Sequence, residues 1–421
     1  MKFKLLLILL IIGIIILYFI PAPKANFFKL YKKRDKASAS LEEFYKEPTK
    51  HINVNGVDWK YYSGGNGQKT ILFLHGMGGA YDLWWQQIMA FKHNYRIISY
   101  TLPDKINNLK DAKEGIEAIL KQENVDKFYA IGTSMGGYIT QYLVKTMPNR
   151  VEKAVFGNTF PPNDLLRKQN EVKSKIVRIL PEYVISLFGK SSLKNKLLPA
   201  GENDSLLAAF LPSLPFSKKS FIGRYEIVTD YFMINPVKYK YKRIPKLIIL
   251  SDNDPLIPLQ LRREIVDLYP KADVFVFHNK GHFPYINEAQ KYNEIIKNFL
   301  EKPDEYSNIE NSLRLNYFEG RKNADLNRLK NIFDKNSGIF VKRKDSLFKI
   351  NFDEYLGVVN QSGKSNVKTD ILDVDVENDF ANANVKFQYP DKTYIDYLNL
   401  IKQNDGWKIV NKISVLTNEK K

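Results

Sequence analysis

The run Gly132-Thr133-Ser134-Met135-Gly136 constrains the fold of this chain more than any other segment. Apolar residues dominate 128–131 before it, and apolar residues at helical spacing follow it from Tyr138 onward. A turn from strand to helix crowds the backbone on both sides of its serine, so that only glycine fits at Gly132 and Gly136. The sharp turn lifts the hydroxyl of Ser134 clear of the sheet. The pattern therefore predicts a strand, a helix and a nucleophile between them.

A glycine-rich loop follows an earlier strand pattern. Residues 70–74 form an apolar run, which is typical of a strand buried on both faces, and His75-Gly76-Met77-Gly78-Gly79 comes next. Backbone N–H groups exposed in such a loop can face a developing negative charge. We predict that the N–H groups of Met77 and Met135 form a two-donor oxyanion hole. The alternative is an ordinary glycine loop, and His75 is expected to brace the loop and not to act as a base.

An acidic residue follows a further buried-strand pattern. The run 246–250 predicts the strand, and Ser251-Asp252-Asn253-Asp254-Pro255 continues from its carboxyl end. A carboxylate held there by a proline-stiffened turn is well placed to orient a histidine. Asp254 is the predicted acid, and Asp252 is the alternative.

One of the five histidines of the chain lies where a catalytic base is needed. A strand pattern over 273–277 is followed by Gly281-His282 and then by an amphipathic helix pattern from Ile286 to Leu300. A single histidine on a loop is more often a surface residue than a base. His282 is nevertheless predicted as the base, because the loop leaves it free to reach over the edge of the sheet.

The order Ser134, Asp254, His282 along the chain resembles that of the α/β-hydrolase superfamily and differs from the orders in other serine-triad folds. The resemblance covers residues 51–300 and includes His75-Gly76, the pentapeptide around Ser134 and Gly281-His282. It implies an α/β fold with a mostly parallel sheet and a helical cap. It also implies acyl transfer from a small-molecule acyl or carbonyl substrate through a covalent intermediate, with no cofactor and no metal.

Within that superfamily the chain is similar to a maspardin-like branch. The similar segments are Asn158-Thr159-Phe160, Leu180-Pro181-Glu182, Leu268-Tyr269-Pro270 and Phe283-Pro284-Tyr285. Eukaryotic members of that branch depart from the catalytic histidine motif, whereas this chain keeps His282. The resemblance therefore implies an active serine hydrolase, esterase-like or lipase-like. Two alternatives stay open: a catalytically silent scaffold that uses the same fold for binding, and an acyltransferase with the same triad.

Length, charge and cysteine content limit the class of protein. The 421 residues exceed one ordinary domain and predict two. The formal net charge is +18, but no aromatic–basic motif accompanies it, so nucleic acid is not expected as a partner. Cysteine is absent from the sequence, which excludes disulfides, thiolate catalysis and cysteine metal sites.

An uncharged apolar run lies near the start of the sequence. Leu5 to Ile20 would span roughly 24 Å as a helix, somewhat less than a bilayer core of about 30 Å. Residues 1–23 are therefore predicted to form a single-pass membrane anchor, with a cleaved signal peptide as the alternative. Residues 24–50 are expected to form a basic stalk against anionic lipid. The side of the membrane stays open, with the extracytoplasmic (periplasmic) side slightly favoured.

Strand patterns stop between residues 160 and 243. A stretch of that length is too long for a bare loop, and it predicts a helical cap over Ser134 within a domain of residues 51–302. Its aromatic and leucine residues either line a hydrophobic acyl pocket or pack the cap against the core. They are Phe188, Phe210, Leu211, Phe216, Phe221, Tyr231 and Phe232.

The pattern changes after Pro303. Helix patterns over 309–333 are followed by consecutive strand patterns from 370 to 415, which predicts an α+β domain over 304–421. Residues 317–320 and 405–412 resemble the SnoaL-like cone-shaped fold, in particular its "putative lumazine-binding" branch. The resemblance implies a ligand pocket or a dimer-forming module, and it favours a homodimer or accessory binding over catalysis. Tyr317, Asp353 and Tyr397 are the candidates for an acid–base pair there.

Overall fold

The computed structural model describes residues 12–13, 15–235, 241, 243–343 and 345–419. The chain divides into a larger unit, residues up to 236 together with 244–301, and a C-terminal unit, residues 237–243 together with 302–421. Each unit has its own sheet and its own hydrophobic core.

An eight-stranded sheet forms the centre of the larger unit. Its strands are β1 (Thr49–Val54), β2 (Val57–Gly64), β3 (Thr70–Leu74), β4 (Arg96–Tyr100), β5 (Phe128–Thr133), β6 (Val151–Gly157), β7 (Lys246–Ser251) and β8 (Asp273–Phe277). They lie in the order β1-β2-β4-β3-β5-β6-β7-β8. Strands β3 to β8 are parallel, whereas β1 and β2 join the sheet as an antiparallel hairpin. The predicted mostly parallel sheet is confirmed.

Helices cover both faces of this sheet, so that β3, β5 and β7 are buried along their whole length. The helices of the unit are α1 (Phe27–Leu30), α2 (Lys36–Phe44), α3 (Trp85–Phe91), α4 (Leu109–Gln122), α5 (Met135–Thr146), α6 (Leu165–Ile179), α7 (Glu182–Ser192), α8 (Leu198–Ala200), α9 (Ser205–Phe210), α10 (Lys218–Thr229), α11 (Leu259–Leu268), α12 (Pro284–Asn287) and α13 (Ala289–Glu301). Helices α6 to α10 belong to the long insertion between β6 and β7, where the sequence predicts a helical cap.

The carboxyl ends of the parallel strands meet at one edge of the sheet. Leu74 at the end of β3 pairs with Gly132 of β5, and Gly157 at the end of β6 pairs with Ile249 of β7. The loops that follow β3, β5, β6 and β7 therefore converge at this edge. In open α/β sheets this edge is where ligands bind.

Residues 24–50, expected to form a basic stalk against anionic lipid, instead pack within the larger unit. Helices α1 and α2 bury Phe27, Leu41 and Phe44, each of which is at most 3% exposed. Phe44 contacts Tyr62, with ring centroids 5.4 Å apart. The expectation of a basic stalk is therefore wrong. The lysine-rich composition of this segment does not indicate that its few apolar residues are buried by tertiary packing.

The predicted single-pass membrane location is corrected by the structure. Across the described residues, no helix combines the length and the apolar character that a bilayer crossing requires. The end of the predicted anchor contacts the cap: the Tyr18 hydroxyl donates to the Ile179 carbonyl at 2.5 Å, and the Ala22 N–H donates to Glu182 Oε1 at 3.3 Å. Residues 1–11 and 14 of the predicted anchor lie outside the described residues.

The C-terminal unit is an α+β domain with a six-stranded sheet. Its strands are β9 (Phe333–Arg343), β10 (Ser346–Ile350), β11 (Lys368–Glu377), β12 (Phe380–Gln388), β13 (Lys392–Gln403) and β14 (Gly406–Glu419), in the order β10-β9-β14-β13-β12-β11. All neighbouring strands are antiparallel except β14 and β9. Its helices are α14 (Glu305–Ser312), α15 (Glu319–Asn323), α16 (Leu326–Ile332) and α17 (Phe352–Ser362).

The packing of α4 against the sheet gives a stability prediction with a matched control. A Cβ on Gly115 of α4 would lie 1.9 Å from the buried Trp59 ring, whereas a Cβ on Gly189 of α7 would meet nothing within 4 Å. Gly115→Ala should therefore destabilise the larger unit by about 1–3 kcal/mol through overpacking. Gly189→Ala should stabilise it by about 0.5–1 kcal/mol, because alanine has the higher helix propensity. Urea unfolding of the two variants measures both changes, and equal effects would contradict the packing argument.

Candidate active site

Ser134 lies between β5 and α5 in a backbone conformation that is rare for a residue with a side chain. Its φ is 55° and its ψ is −121°. A Cβ on Gly132 would lie 2.2 Å from the Gly136 carbonyl oxygen, and a Cβ on Gly136 would lie 2.1 Å from the Leu74 carbonyl oxygen. Only glycine fits at both positions, and the strained turn holds Ser134 at the carboxyl edge of the sheet.

Asp254 and His282 meet at the same edge, one after β7 and the other after β8. His282 Nδ1 lies 2.8 Å from Asp254 Oδ2, and both side chains are buried. A carboxylate can only accept, so Nδ1 of His282 carries a proton. Within the described residues no hydrogen bond joins the Ser134 hydroxyl to this ring. Catalytic contacts of this kind often tighten only when substrate binds.

The surroundings of Asp254 keep its carboxyl group ionised. Burial alone would raise its pKa, but the charge of His282 and the hydrogen bonds to the carboxylate outweigh burial and lower the pKa. The Leu256 N–H donates to Oδ1 at 2.8 Å, and Asn158 Nδ2 donates to Oδ2 at 3.0 Å. A carboxylate held in its charged form can fix the tautomer of His282 and stabilise the imidazolium.

Asp252, the alternative acid, has a different partner. Its Oδ2 lies 2.8 Å from Nδ1 of His278, and its Oδ1 accepts from the Asn279 N–H at 3.0 Å. The His278 side chain is 79% exposed. The geometry therefore favours Asp254 over Asp252 as the acid beside His282.

Asn158 is a site residue that the sequence analysis did not single out for a role. It follows β6, it is 1% exposed, and its φ is 40°. Its amide donates to Asp254 Oδ2 and also to Ser251 Oγ at 3.2 Å. Asparagine tolerates a left-handed backbone and donates locally. An asparagine directly after a buried parallel strand was the available signal.

The loop after β3 lies beside Ser134. The Gly79 N–H donates to the Gly76 carbonyl at 2.9 Å, which closes a turn with Met77 inside it. A Cβ on Gly76 would lie 3.3 Å from Ser134 Cβ and 3.9 Å from its Oγ. Met135 is the first residue of α5, and the first N–H groups of a helix have no acceptor within the helix. The loop and the first turn of α5 thus offer main-chain donors next to the serine.

His75 forms hydrogen bonds both to this loop and to the segment after β4. Its Nδ1 lies 2.7 Å from the Gly76 carbonyl oxygen, and its Nε2 accepts from the Leu102 N–H at 3.0 Å. Burial, followed by the nearby charge of Arg224, lowers the pKa of His75 to about 3. The ring is therefore neutral at ordinary pH, with its proton on Nδ1. Both of its nitrogens are occupied by the main chain, which leaves neither to serve as a base.

A family model described as "alpha/beta hydrolase fold" matches residues 69–289. The chain belongs to the alpha/beta hydrolase family. A second model, described as "Putative lumazine-binding", matches residues 304–413, and together the two matches confirm the predicted pairing of a hydrolase domain with this C-terminal domain. The maspardin-like branch stays a prediction.

Several named proteins are similar to the hydrolase domain. A 2-hydroxy-6-oxononadienedioate/2-hydroxy-6-oxononatrienedioate hydrolase of Paraburkholderia phymatum is 24% identical over 286 residues, which is 60% of this chain and 95% of that protein. A pimeloyl-[acyl-carrier protein] methyl ester esterase of Hamiltonella defensa is 24% identical over 257 residues, 57% of this chain and 96% of that protein. The crystal structure of the enol-lactonase from Burkholderia xenovorans LB400 superposes with a TM-score of 0.51 at 16% identity, covering 60% of this chain and all of that one.

The aromatic residues of the cap divide between packing and exposure. Phe210 packs on Trp85 with ring centroids 4.2 Å apart, and Phe232 packs on Tyr138 at 5.1 Å. Phe188 and Tyr231 are 64% and 55% exposed. For Phe210 and Phe232, packing of the cap against the core is therefore the better of the two sequence interpretations.

The three acid–base candidates of the C-terminal domain differ in burial. Tyr397 is 48% exposed and Asp353 lies on the surface, whereas Tyr317 is buried and its hydroxyl donates to Asp396. Lys412 Nζ lies 3.5 Å from Asp396 Oδ2, and both side chains are at most 6% exposed. Sequence spacing did not single out Asp396 or Lys412, because their proximity depends on the pairing of β13 with β14. A homodimer through this domain stays a prediction.

The lowered pKa of His75 predicts a stability that depends on pH. In the unfolded chain this histidine binds a proton once the pH falls below about 6.5. In the folded chain it does not bind one until about pH 3. The folded state therefore loses on the order of 2 kcal/mol from this group between pH 7 and pH 5. His75→Asn should lack that loss, so the difference in unfolding free energy between wild type and variant should change by that amount. A constant difference from pH 7 to pH 5 would contradict the assignment.

Proposed function

We propose that this protein is a serine hydrolase that cleaves an ester-like bond through an acyl-enzyme intermediate. Ser134 is the nucleophile, His282 the general base and Asp254 the orienting acid. The main-chain N–H groups of Met77 and Met135 bind the oxyanion. The observation that carries the proposal is the buried 2.8 Å contact between His282 Nδ1 and Asp254 Oδ2, at the sheet edge where the strained Ser134 lies.

In the acylation step, Ser134 Oγ bonds to the carbonyl carbon while its proton passes to His282 Nε2. The carbonyl oxygen takes the negative charge and faces the two N–H donors. The tetrahedral intermediate then collapses: the bond to the leaving group breaks, and the imidazolium returns the proton to the leaving oxygen. Asp254 stays ionised throughout and stabilises the imidazolium.

In the deacylation step, water takes the place of the leaving group. His282 Nε2 accepts a proton from the water as the water oxygen bonds to the acyl carbon, and the same proton returns to Ser134 Oγ as the ester bond breaks. The products are a carboxylic acid and the free enzyme. Serine as the nucleophile, in place of aspartate, argues against haloalkane or epoxide hydrolysis on this fold.

The relatives support a hydrolase and leave the bond type open. Their names include an esterase and hydrolases of oxo-acid substrates. Esters, thioesters, lactones and carbon–carbon bonds next to a carbonyl are all cleaved by attack at a carbonyl carbon. The triad geometry alone serves each of these reactions.

Labelling with a fluorophosphonate probe tests the nucleophile. The wild-type protein should react, and Ser134→Ala or His282→Ala should not, because the first lacks the attacking oxygen and the second lacks the base. Ser134→Ala should retain the unfolding midpoint of the wild type, since a smaller side chain fits the turn. A wild-type protein that does not react with the probe would favour the scaffold hypothesis.

The two neighbouring aspartates provide a matched pair for testing the acid. With a p-nitrophenyl ester as substrate, Asp254→Asn should lower kcat by roughly 10³–10⁴-fold, because an amide favours the wrong tautomer of His282. Asp252→Asn should keep kcat close to that of the wild type, because Asp252 pairs with the exposed His278. If Asp252→Asn lowered kcat more than Asp254→Asn did, the role of the acid would pass to Asp252.

A further inference from the structure

A buried arginine of the cap contacts the loop beside the nucleophile. Arg224 lies on α10 and is 5% exposed. Its Nη1 donates to the Met77 carbonyl at 2.5 Å and to the Gly79 carbonyl at 2.9 Å. Its Nη2 donates to the Leu102 carbonyl at 3.2 Å. One guanidinium thus joins the cap to the two segments that His75 also joins.

The cost of burying this charge points to a role for it. No carboxylate of the described residues forms an ion pair with Arg224. Burial lowers its pKa to about 10, with Asp104 opposing the shift, so the side chain stays charged at neutral pH. A buried cation is unfavourable unless its donors are satisfied. Here the main-chain carbonyls of Met77, Gly79 and Leu102 accept from Nη1 and Nη2, whereas the buried Nε has no hydrogen-bond partner among the described residues.

Hydrogen bonds to the carbonyls of both peptides that flank Met77 also limit the rotation of its N–H. In a trans peptide the C=O and N–H point in opposite directions across one plane. The carbonyl of the peptide before Met77, that of Gly76, is held by His75 and by the Gly79 N–H. The carbonyl of the peptide after Met77 is held by Arg224. With both flanking peptides fixed, the N–H of Met77 cannot rotate freely.

We infer that Arg224 is a positioning residue, which holds the oxyanion loop in its reactive orientation and makes that orientation depend on the seating of the cap. This inference rests on the proposed function. It assigns to a cap residue a part in transition-state stabilisation, although Arg224 acts through the main chain of residues 77–79 and does not itself touch the substrate. Displacement of α10 would release the loop.

Other contacts hold α10 without contacting the loop, and they provide a control. Ser217 Oγ donates to Asp104 Oδ2 at 2.7 Å at the start of the helix, and Asp230 Oδ2 accepts from the Leu109 N–H at 2.8 Å after its end. Ser217→Ala should remove one contact between the start of α10 and the core, while leaving every hydrogen bond from Arg224 to the loop in place.

The experiment compares Arg224→Met, Arg224→Lys and Ser217→Ala with the wild type on p-nitrophenyl acetate. Arg224→Met should lower kcat by roughly 10–10²-fold with little change in KM, because the misplaced donor matters in the transition state more than in the ground state. The inhibition constant of a boronic acid, which mimics the tetrahedral intermediate, should rise by the same factor. Arg224→Lys should recover part of kcat, since an ammonium can still donate to one carbonyl. Ser217→Ala should leave both quantities within about threefold of the wild type.

Each outcome either supports or overturns the positioning role of Arg224. A loss of kcat in Arg224→Met no larger than that in Ser217→Ala, or a change confined to KM, overturns the positioning role. If Arg224→Met does not fold, Arg224→Lys decides, and wild-type kcat in a folded lysine variant also overturns it. Hydrolysis by Ser134→Ala at the rate of the wild type would overturn the proposed function instead, and this inference with it.

Discussion

The close contact of α5 with the end of β3 sets the geometry on which the rest of the site depends. Because Gly136 has no side chain, the helix lies directly against the Leu74 carbonyl, where a Cβ would be only 2.1 Å away. Leu74 is the last residue before the glycine loop, and Ser134 precedes the helix. A single backbone approach thus fixes the distance between the nucleophile and the loop that faces it. The neighbouring strands β6 and β7 then carry Asn158 and Asp254 to the same edge.

Main-chain carbonyls are the partners that this hydrolase domain gives to its buried cations. Arg224 donates to three of them, and Lys153 donates to the carbonyls of Phe299 and Leu300 at the end of α13. A carbonyl at a loop or at a helix end lacks a partner of its own and is costly to bury alone. Some of the many lysines and arginines of this chain are therefore buried, where they donate hydrogen bonds to main-chain carbonyls. The positive charge is not confined to the surface.

Local patterns in the sequence were sufficient where the chemistry depends on local backbone. The glycines around Ser134 and the strand patterns before Asp254 and His282 indicate the sheet edge, and the structure brings the aspartate and the histidine into contact there. The choice between Asp254 and Asp252 needed the side-chain directions. Arg224 could not be predicted, because its partner Met77 is 147 positions earlier and no periodicity marks the contact. The membrane anchor predicted from the apolar run was wrong for a related reason. Hydropathy does not reveal that Tyr18 and Ala22, within the predicted anchor, contact the cap.

The buried pair in the C-terminal domain limits how the sequence of this domain can evolve. Asp396 and Lys412 lie on adjacent strands, almost fully enclosed, with Tyr317 and Ser414 bonded to the carboxylate. Loss of either charge would leave the other unpaired in the protein interior, where it is poorly solvated. Sequence drift at these two positions is therefore expected to proceed through coordinated exchanges, and descendants that have lost one member of the pair should have lost the other as well.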